Sequence, residues 1–224
     1  MAITDAGQIC ESEAITTTNR ITLSADVSAG HLMALGLGGR VSTGYLDIVG
    51  ITDSKGGEWD WNGQSSGYRA AWVASQRAAV PMQSGTDWIE VQWSKAPQVA
   101  FVTGHKFAGA RGLATARSST QGTPSSVASR SIPVATADFL VLATVAYAST
   151  STTTTPLNSM TEQDTFDGGN IFIEFLSRNS SGSSSFVAGT TLGASRNWTI
   201  AVASFPFEAM PASGRGTQSF LIGV

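Results

Sequence analysis

Apolar and polar residues alternate with a period of two along most of the chain. Ile21, Leu23 and Ala25 oppose Thr22, Ser24 and Asp26. His31–Leu37 is more continuously apolar and ends at Gly38-Gly39. Leu46 and Ile48 point one way, and Asp47, Val49 and Ile51 the other. The run DSKGG then turns the chain, and Trp59 and Trp61 share a face opposite Asp60. Ile89, Val91 and Trp93 share another face, with Glu90 and Gln92 turned away. Such alternation, bounded by Gly, Asp and Ser, predicts half-buried antiparallel strands. Tyr68–Val80 is rich enough in alanine to suit one short helix, but its all-β surroundings favour a strand.

Further strands are expected over 98–109 and over Asp138–Ala148, which is apolar on both faces and therefore central. Asn170–Leu176 is expected to turn Ile171, Ile173 and Phe175 inward and Glu174 outward. Phe186–Gly193 and Trp198–Phe207 close the set, and Pro206 stops the last strand. Residues 110–130 lose the alternation and read as a long loop suited to contacting a partner. Thr150–Thr155 and Arg178–Ser185 read as solvated turns.

About ten strands and no helix predict an all-β fold. The expected form is a single antiparallel β-sandwich of jelly-roll or lectin-like type over residues 21–208, with two facing layers joined by Trp59, Trp61, Trp93, Phe101, Phe175 and Trp198. Residues 1–20 are expected as an N-terminal arm or edge strand and 209–224 as a C-terminal arm. The apolar end of that arm, with Phe220, Leu221 and Ile222, should dock on this chain or on a neighbour, because apolar surface left wet costs about 25 cal/mol per Å².

Composition narrows the roles open to such a fold. Charged residues are 13 % of the 224, about half the usual share, whereas Gly alone numbers 24. A surface of hydroxyls and backbone loses little when a neighbour covers it, since few ions must be desolvated. The net charge is −3 and no five-residue basic run exists, so a nucleic-acid partner is not expected. Cys10 stands alone and forms no internal disulfide. The opening MAITDAGQICESEA has neither a basic nor an apolar signal region, and no apolar run reaches the roughly 20 residues of a membrane span. The chain is expected to be made in a cytoplasm, with no membrane partner.

Candidate chemistry is sparse. Gly63-Gln64-Ser65-Ser66-Gly67 matches the nucleophile-elbow pattern, and Asp87 and His105 follow in triad order. An elbow needs a parallel sheet and a helix behind its serine, so a hairpin is the expected reading. His31 and His105 are the only histidines, too few for a zinc cluster, and no metal or cofactor is expected. The oxygen-bearing loops 53–58 and 164–170 lack calcium-loop spacing and read as turns. Trp72 and Trp88 are the two tryptophans read as exposed and therefore as sugar-stacking candidates.

The segments VGITDSKGGEWDWN, AAWVASQRAAVPMQSGTDWIEVQWS and VAFVTGHKFAG are similar to a pattern of bacteriophage and prophage structural proteins. There a strand ending T-D-S with a following aromatic, a W-V-A strand, a G-D-x-I-x-V strand and a closing F-x-G recur. The counterparts here are Thr52-Asp53-Ser54, Trp59, Trp72-Val73-Ala74, Gly85-Thr86-Asp87-Trp88-Ile89-Glu90-Val91 and Phe107-Ala108-Gly109; Thr86 separates Gly85 from Asp87 where the pattern joins them. NWTIAVASFPFEA is similar to the closing strand of those domains. The resemblance covers about 30–209. It implies a non-enzymatic virion component, of minor-tail, tail-tip or head-decoration type, with other virion proteins and further copies of itself as partners. The second expectation is a module binding host-surface glycan through Trp72 or Trp88.

Overall fold

A computed structural model describes residues 3–66, 68–110, 114–134, 139–148, 154–181 and 184–208. Fourteen strands run through them: β1 (Thr4–Ala14), β2 (Thr18–Thr22), β3 (Leu32–Arg40), β4 (Ile48–Asp53), β5 (Asp60–Ser66), β6 (Arg69–Arg77), β7 (Trp88–Trp93), β8 (Val99–Ala108), β9 (Ala116–Pro133), β10 (Phe139–Tyr147), β11 (Thr154–Pro156), β12 (Thr161–Asp167), β13 (Phe172–Ser180) and β14 (Ser185–Pro206). One 3-10 turn, Leu157–Ser159, is the only helical element among the described residues. Every pairing between strands is antiparallel. The all-β antiparallel sandwich is therefore present, with more strands than the ten expected.

The strands form three sheets, ordered β2-β7-β4, β1-β8-β3-β6-β5 and β11-β14-β10-β13-β12, with β9 beside β14. The five-stranded sheet lies in the middle and is packed on both faces. The sequence of β3, LMALGLGGR, shows why. Met33, Leu35 and Leu37 project into one core with Ile21, Ile51, Ile89, Val91 and Trp93 of the three-stranded sheet. Leu32 and Ala34 project the other way, onto Leu140, Leu142, Phe175 and Phe205 of the large sheet. On that second face Gly36 and Gly38 leave room for Phe175 and Ile173. A Cβ at Gly36 would lie 2.4 Å from the Phe175 ring, and one at Gly38 2.7 Å from Ile173. The alternation is thus between large and small residues, both buried, rather than between buried and wet.

Residues expected as a long loop at 110–130 instead form most of β9. Gly, Ser and Thr lack the apolar alternation that marks a strand, but their backbone pairs with β14 from Ser204↔Ala116 to Ser185↔Pro133. The register breaks between Thr191 and Trp198, and the β9–β14 ribbon bends there. Beyond the bend, Ala128, Ile132, Ala188 and Leu192 cover the outer face of the large sheet, burying Phe139, Val141, Val145 and Tyr147. Two further expectations are corrected by this layering. Glu174, expected outward, is completely buried beneath the returning ribbon. Ile51, expected opposite Ile48, shares its buried side, because a bulge between Ile48 and Gly50 resets the alternation of β4. Residues 209–224, with Phe220, Leu221 and Ile222, lie outside the described residues.

Candidate functional site

Most of the polar residues singled out by sequence fall into two separate clusters. In the first, the DSKGG turn is built by a carboxylate. Asp53 Oδ1 accepts the backbone N–H groups of Lys55 (2.8 Å) and Gly57 (3.2 Å), while Oδ2 accepts the Trp59 indole N–H at 2.9 Å. Next to it, Asp87 accepts Ser54 Oγ at 2.6 Å and the Gln83 N–H at 2.7 Å, and Lys55 Nζ lies 3.0 Å away. The Ser54 and Gln83 hydrogen bonds, aided by Lys55, hold the Asp87 carboxyl below the usual range against the opposing effect of burial. T-D-S, the following tryptophan and G-T-D are therefore one interlocked unit that ties β4 to the entry of β7.

The second cluster joins the middle sheet to β12. His105 on β8 approaches Asp164 Oδ2 through Nε2 at 3.0 Å, Gln8 of β1 donates to the same oxygen at 3.0 Å, and Thr103 Oγ1 donates to it as well. The second imidazole nitrogen has no hydrogen-bond partner among the described residues and lies 3.7 Å from Asp5 Oδ2. Burial would raise the Asp164 pKa, but the hydrogen bonds from His105, Thr103 and Gln8, with the imidazole's charge, outweigh it and hold the carboxyl low. Thr103 and His105 both address the carboxylate rather than each other, so the cluster is a clasp between layers. Neighbouring Cys10 is buried, and burial with the charges of Asp164 and Glu11 pushes its thiol up to about 12, leaving it unreactive.

The clasp makes a testable prediction. A carboxylate with a lowered folded pKa stabilises the fold above its ordinary pKa of 3.8, and that contribution is lost as the pH falls below it. Asp164→Asn should cost about 2 kcal/mol at pH 7, because it weakens charge-assisted hydrogen bonds. In urea titrations the gap to the parent should close below pH 3.8; a constant gap down to pH 2.5 would contradict the clasp.

Ser65, Asp87 and His105 are not brought together. Ser65 Oγ accepts the Leu46 N–H at 3.2 Å and lies 3.3 Å from the Arg69 carbonyl, Asp87 belongs to the turn cluster, and His105 to the clasp. Of the loop expected at 164–170, residues up to Asp167 belong to β12, because they pair with β13; the turn follows, with Asp167 accepting the Gly169 N–H at 2.9 Å. Among the described residues, no group of three or more His, Cys, Asp or Glu side chains is placed to hold a metal ion.

Of the two sugar-stacking candidates, Trp72 is buried. It is 2 % exposed, and its ring centroid lies 5.6 Å from that of Trp93 in the core between the first two sheets. The expectation of exposure fails there because β6 is an interior strand with layers on both sides. Trp88 is partly exposed, but the Arg20 guanidinium lies 4.0 Å from its ring centroid and covers it. Arg20 is itself paired with Glu90 at 2.8 Å.

A cleft of about 410 Å³ opens beside the ends of β1 and β8, lined by His31, Ala108, Ala110 and Phe207 among others. The Arg77–Glu208 pair, at 2.7 Å, belongs to its lining. Burial, helped by the charge of Lys106, lowers the His31 pKa, so its imidazole is neutral at pH 7.

Matching the chain to protein-family models, to curated proteins and to solved structures found no similar protein.

Proposed function

We propose that the chain is a non-enzymatic structural protein of a bacteriophage virion, of minor-tail, tail-tip or head-decoration type, assembling with other virion proteins and with copies of itself. The observation that carries this reading is the use made of the residues behind the resemblance. Asp53, Ser54, Trp59 and Asp87 are spent on holding turns and strands in place, so the pattern is one of architecture. The returning ribbon supplies a surface for assembly. Beyond its bend, β9 pairs with β14 on one edge and with no other described strand. An unpaired edge of this kind is a template for another chain. Its outer face carries Val127 and Val187, both exposed, among serines and threonines.

Sedimentation velocity of the purified chain tests this reading. The chain should form a discrete oligomer at micromolar concentration, and Val127→Lys with Val187→Lys should weaken it at least tenfold while leaving the melting temperature within a few degrees. A parent chain that stays monomeric up to hundreds of micromolar would remove self-assembly from the proposal.

A further inference from the structure

The cleft beside the ends of β1 and β8 is also where the described chain leaves the fold. Phe207 bridges to Ala110, the Glu208 N–H donates to the Gly109 carbonyl at 3.0 Å, and the Glu208 carboxylate pairs with Arg77. All five of these residues line the cleft. The contacts therefore fix the root of segment 209–224 on the cleft's own wall. Ala29, Ala108, Ala110 and Phe207 make most of the lining apolar. Its charges are matched from within, since Arg77 and Glu208 face each other at 2.7 Å and His31 is neutral at pH 7. The side chains of Thr4, Ser28 and His31, also in the lining, have no hydrogen-bond partner among the described residues. A cleft of about 410 Å³ lies within the range of roughly 300–1,000 Å³ over which pockets enclose a ligand.

Such walls suit an uncharged apolar occupant with a few hydrogen-bonding groups, and the chain itself carries one. After Arg215 the sequence reads GTQSFLIGV, without a charged side chain, and Phe220, Leu221 and Ile222 form its apolar run. Residues 209–219, which join Glu208 to that run, are largely Ala, Gly, Ser, Thr and Pro. A Gly/Ser-rich chain of eleven residues spans about 18 Å on average, so Phe220 can return to the cleft from which its spacer starts. A tether of that length holds its end at a local concentration of roughly millimolar. In micromolar solution that exceeds the supply of the same segment from a second copy, so the chain's own segment is favoured.

We infer that the cleft is the docking site of this chain's own C-terminal segment, with Phe220, Leu221 and Ile222 seated against Ala29, Ala108, Ala110 and Phe207. Gln218 and Ser219 bring an amide and a hydroxyl to the polar side formed by Thr4, Ser28 and His31. The driving force is apolar surface withdrawn from water on the segment and on the cleft together. The assembly reading uses a different surface, the outer edge of β9, so either can fail without the other.

The test is paramagnetic broadening in the NMR spectrum of the full chain. Cys10 is buried and unreactive, so Gly223→Cys supplies a single accessible thiol for a nitroxide label. In the labelled chain the amide signals of Gly30, His31, Gly109 and Ala110 should weaken at least twofold, equally at tens and at hundreds of micromolar, and recover when the nitroxide is reduced. Combining Phe220→Ser, Leu221→Ser and Ile222→Ser should abolish the broadening and leave the melting temperature within a few degrees. Ala29→Gln, at an exposed position on the cleft wall, should reduce the broadening at least twofold. A mixture with the nitroxide on one copy and the isotope on another should show none. Cleft amides unaffected by the label, broadening that the triple substitution or Ala29→Gln leaves intact, or broadening that arises between copies would each overturn the assignment; the last would give the cleft to a second copy's segment.

Discussion

Glu174→Gln is expected to stabilise the protein by about 3 kcal/mol at pH 8 and to leave it unchanged near pH 4. The side chain is fully buried on β13, between Phe172 and Leu176 on its own strand face, with Val145 of β10 and Thr165 of β12 opposite. Burial, with a smaller push from Glu162, raises its pKa from 4.5 to about 7. The hydroxyls of Thr154 and Thr190 lie close enough to temper this, yet among the described residues neither carboxylate oxygen has a partner in hydrogen-bond geometry. The sign follows from linkage. The unfolded chain releases the proton near 4.5 and the folded one near 7, so stability is complete below 4.5, falls between 4.5 and about 7, and is flat above. The shift corresponds to about 3 kcal/mol. Glutamine keeps the shape and cannot ionise. Urea titrations from pH 4 to 8 should show the parent's stability declining by that amount and the variant's profile flat across the same interval. Parallel profiles would mean that the carboxyl is hydrated or paired.

Gly36→Val is expected to cost about 3 kcal/mol, near the upper end for overpacking a close-packed core. The added Cβ would lie 2.4 Å from the Phe175 ring, well inside van der Waals contact, and both backbones belong to sheets that other layers hold in place. Phe175→Ala alone should cost roughly as much through the cavity it leaves. The two together should cost clearly less than their sum, since the valine then occupies part of the vacated space, and a coupling of at least about 1 kcal/mol is expected from thermal or urea unfolding. Strict additivity would show that the two sheets do not meet at this point. The same reasoning gives Gly38→Ala a smaller penalty, because Ile173 has rotamer freedom that a ring lacks.

Strand identity was legible wherever large apolar residues alternate or run together. β7 needs only Ile89, Val91 and Trp93 against Glu90 and Gln92, and β10 is apolar throughout and buried throughout. The turn chemistry was legible too: DSKGG and SGTD are turns, and their carboxylates do the capping that Asp residues do in such places. β9 was not legible, because ARSSTQGTPSS has no hydrophobic period and becomes a strand through pairing with β14 alone. The cross-strand pairing of Arg40 with Arg69 was not legible either. The two residues are far apart in the chain, and no spacing rule connects them; their adjacency exists through the β3–β6 register.

The amino-acid sequence by itself determined the all-β class, most strand positions and the turns between them, since these follow from local periodicity and from the preferences of Gly, Asp and Pro. Only the tertiary structure decided how many layers there are. A face that is polar or empty in sequence is wet in a two-layer sandwich, but buried when a third sheet and a returning ribbon cover it. That is why Gly36 proves to be a packing residue, Trp72 a core residue and Glu174 an enclosed acid: burial depends on what lies opposite, and period-two alternation carries no information about the opposite layer.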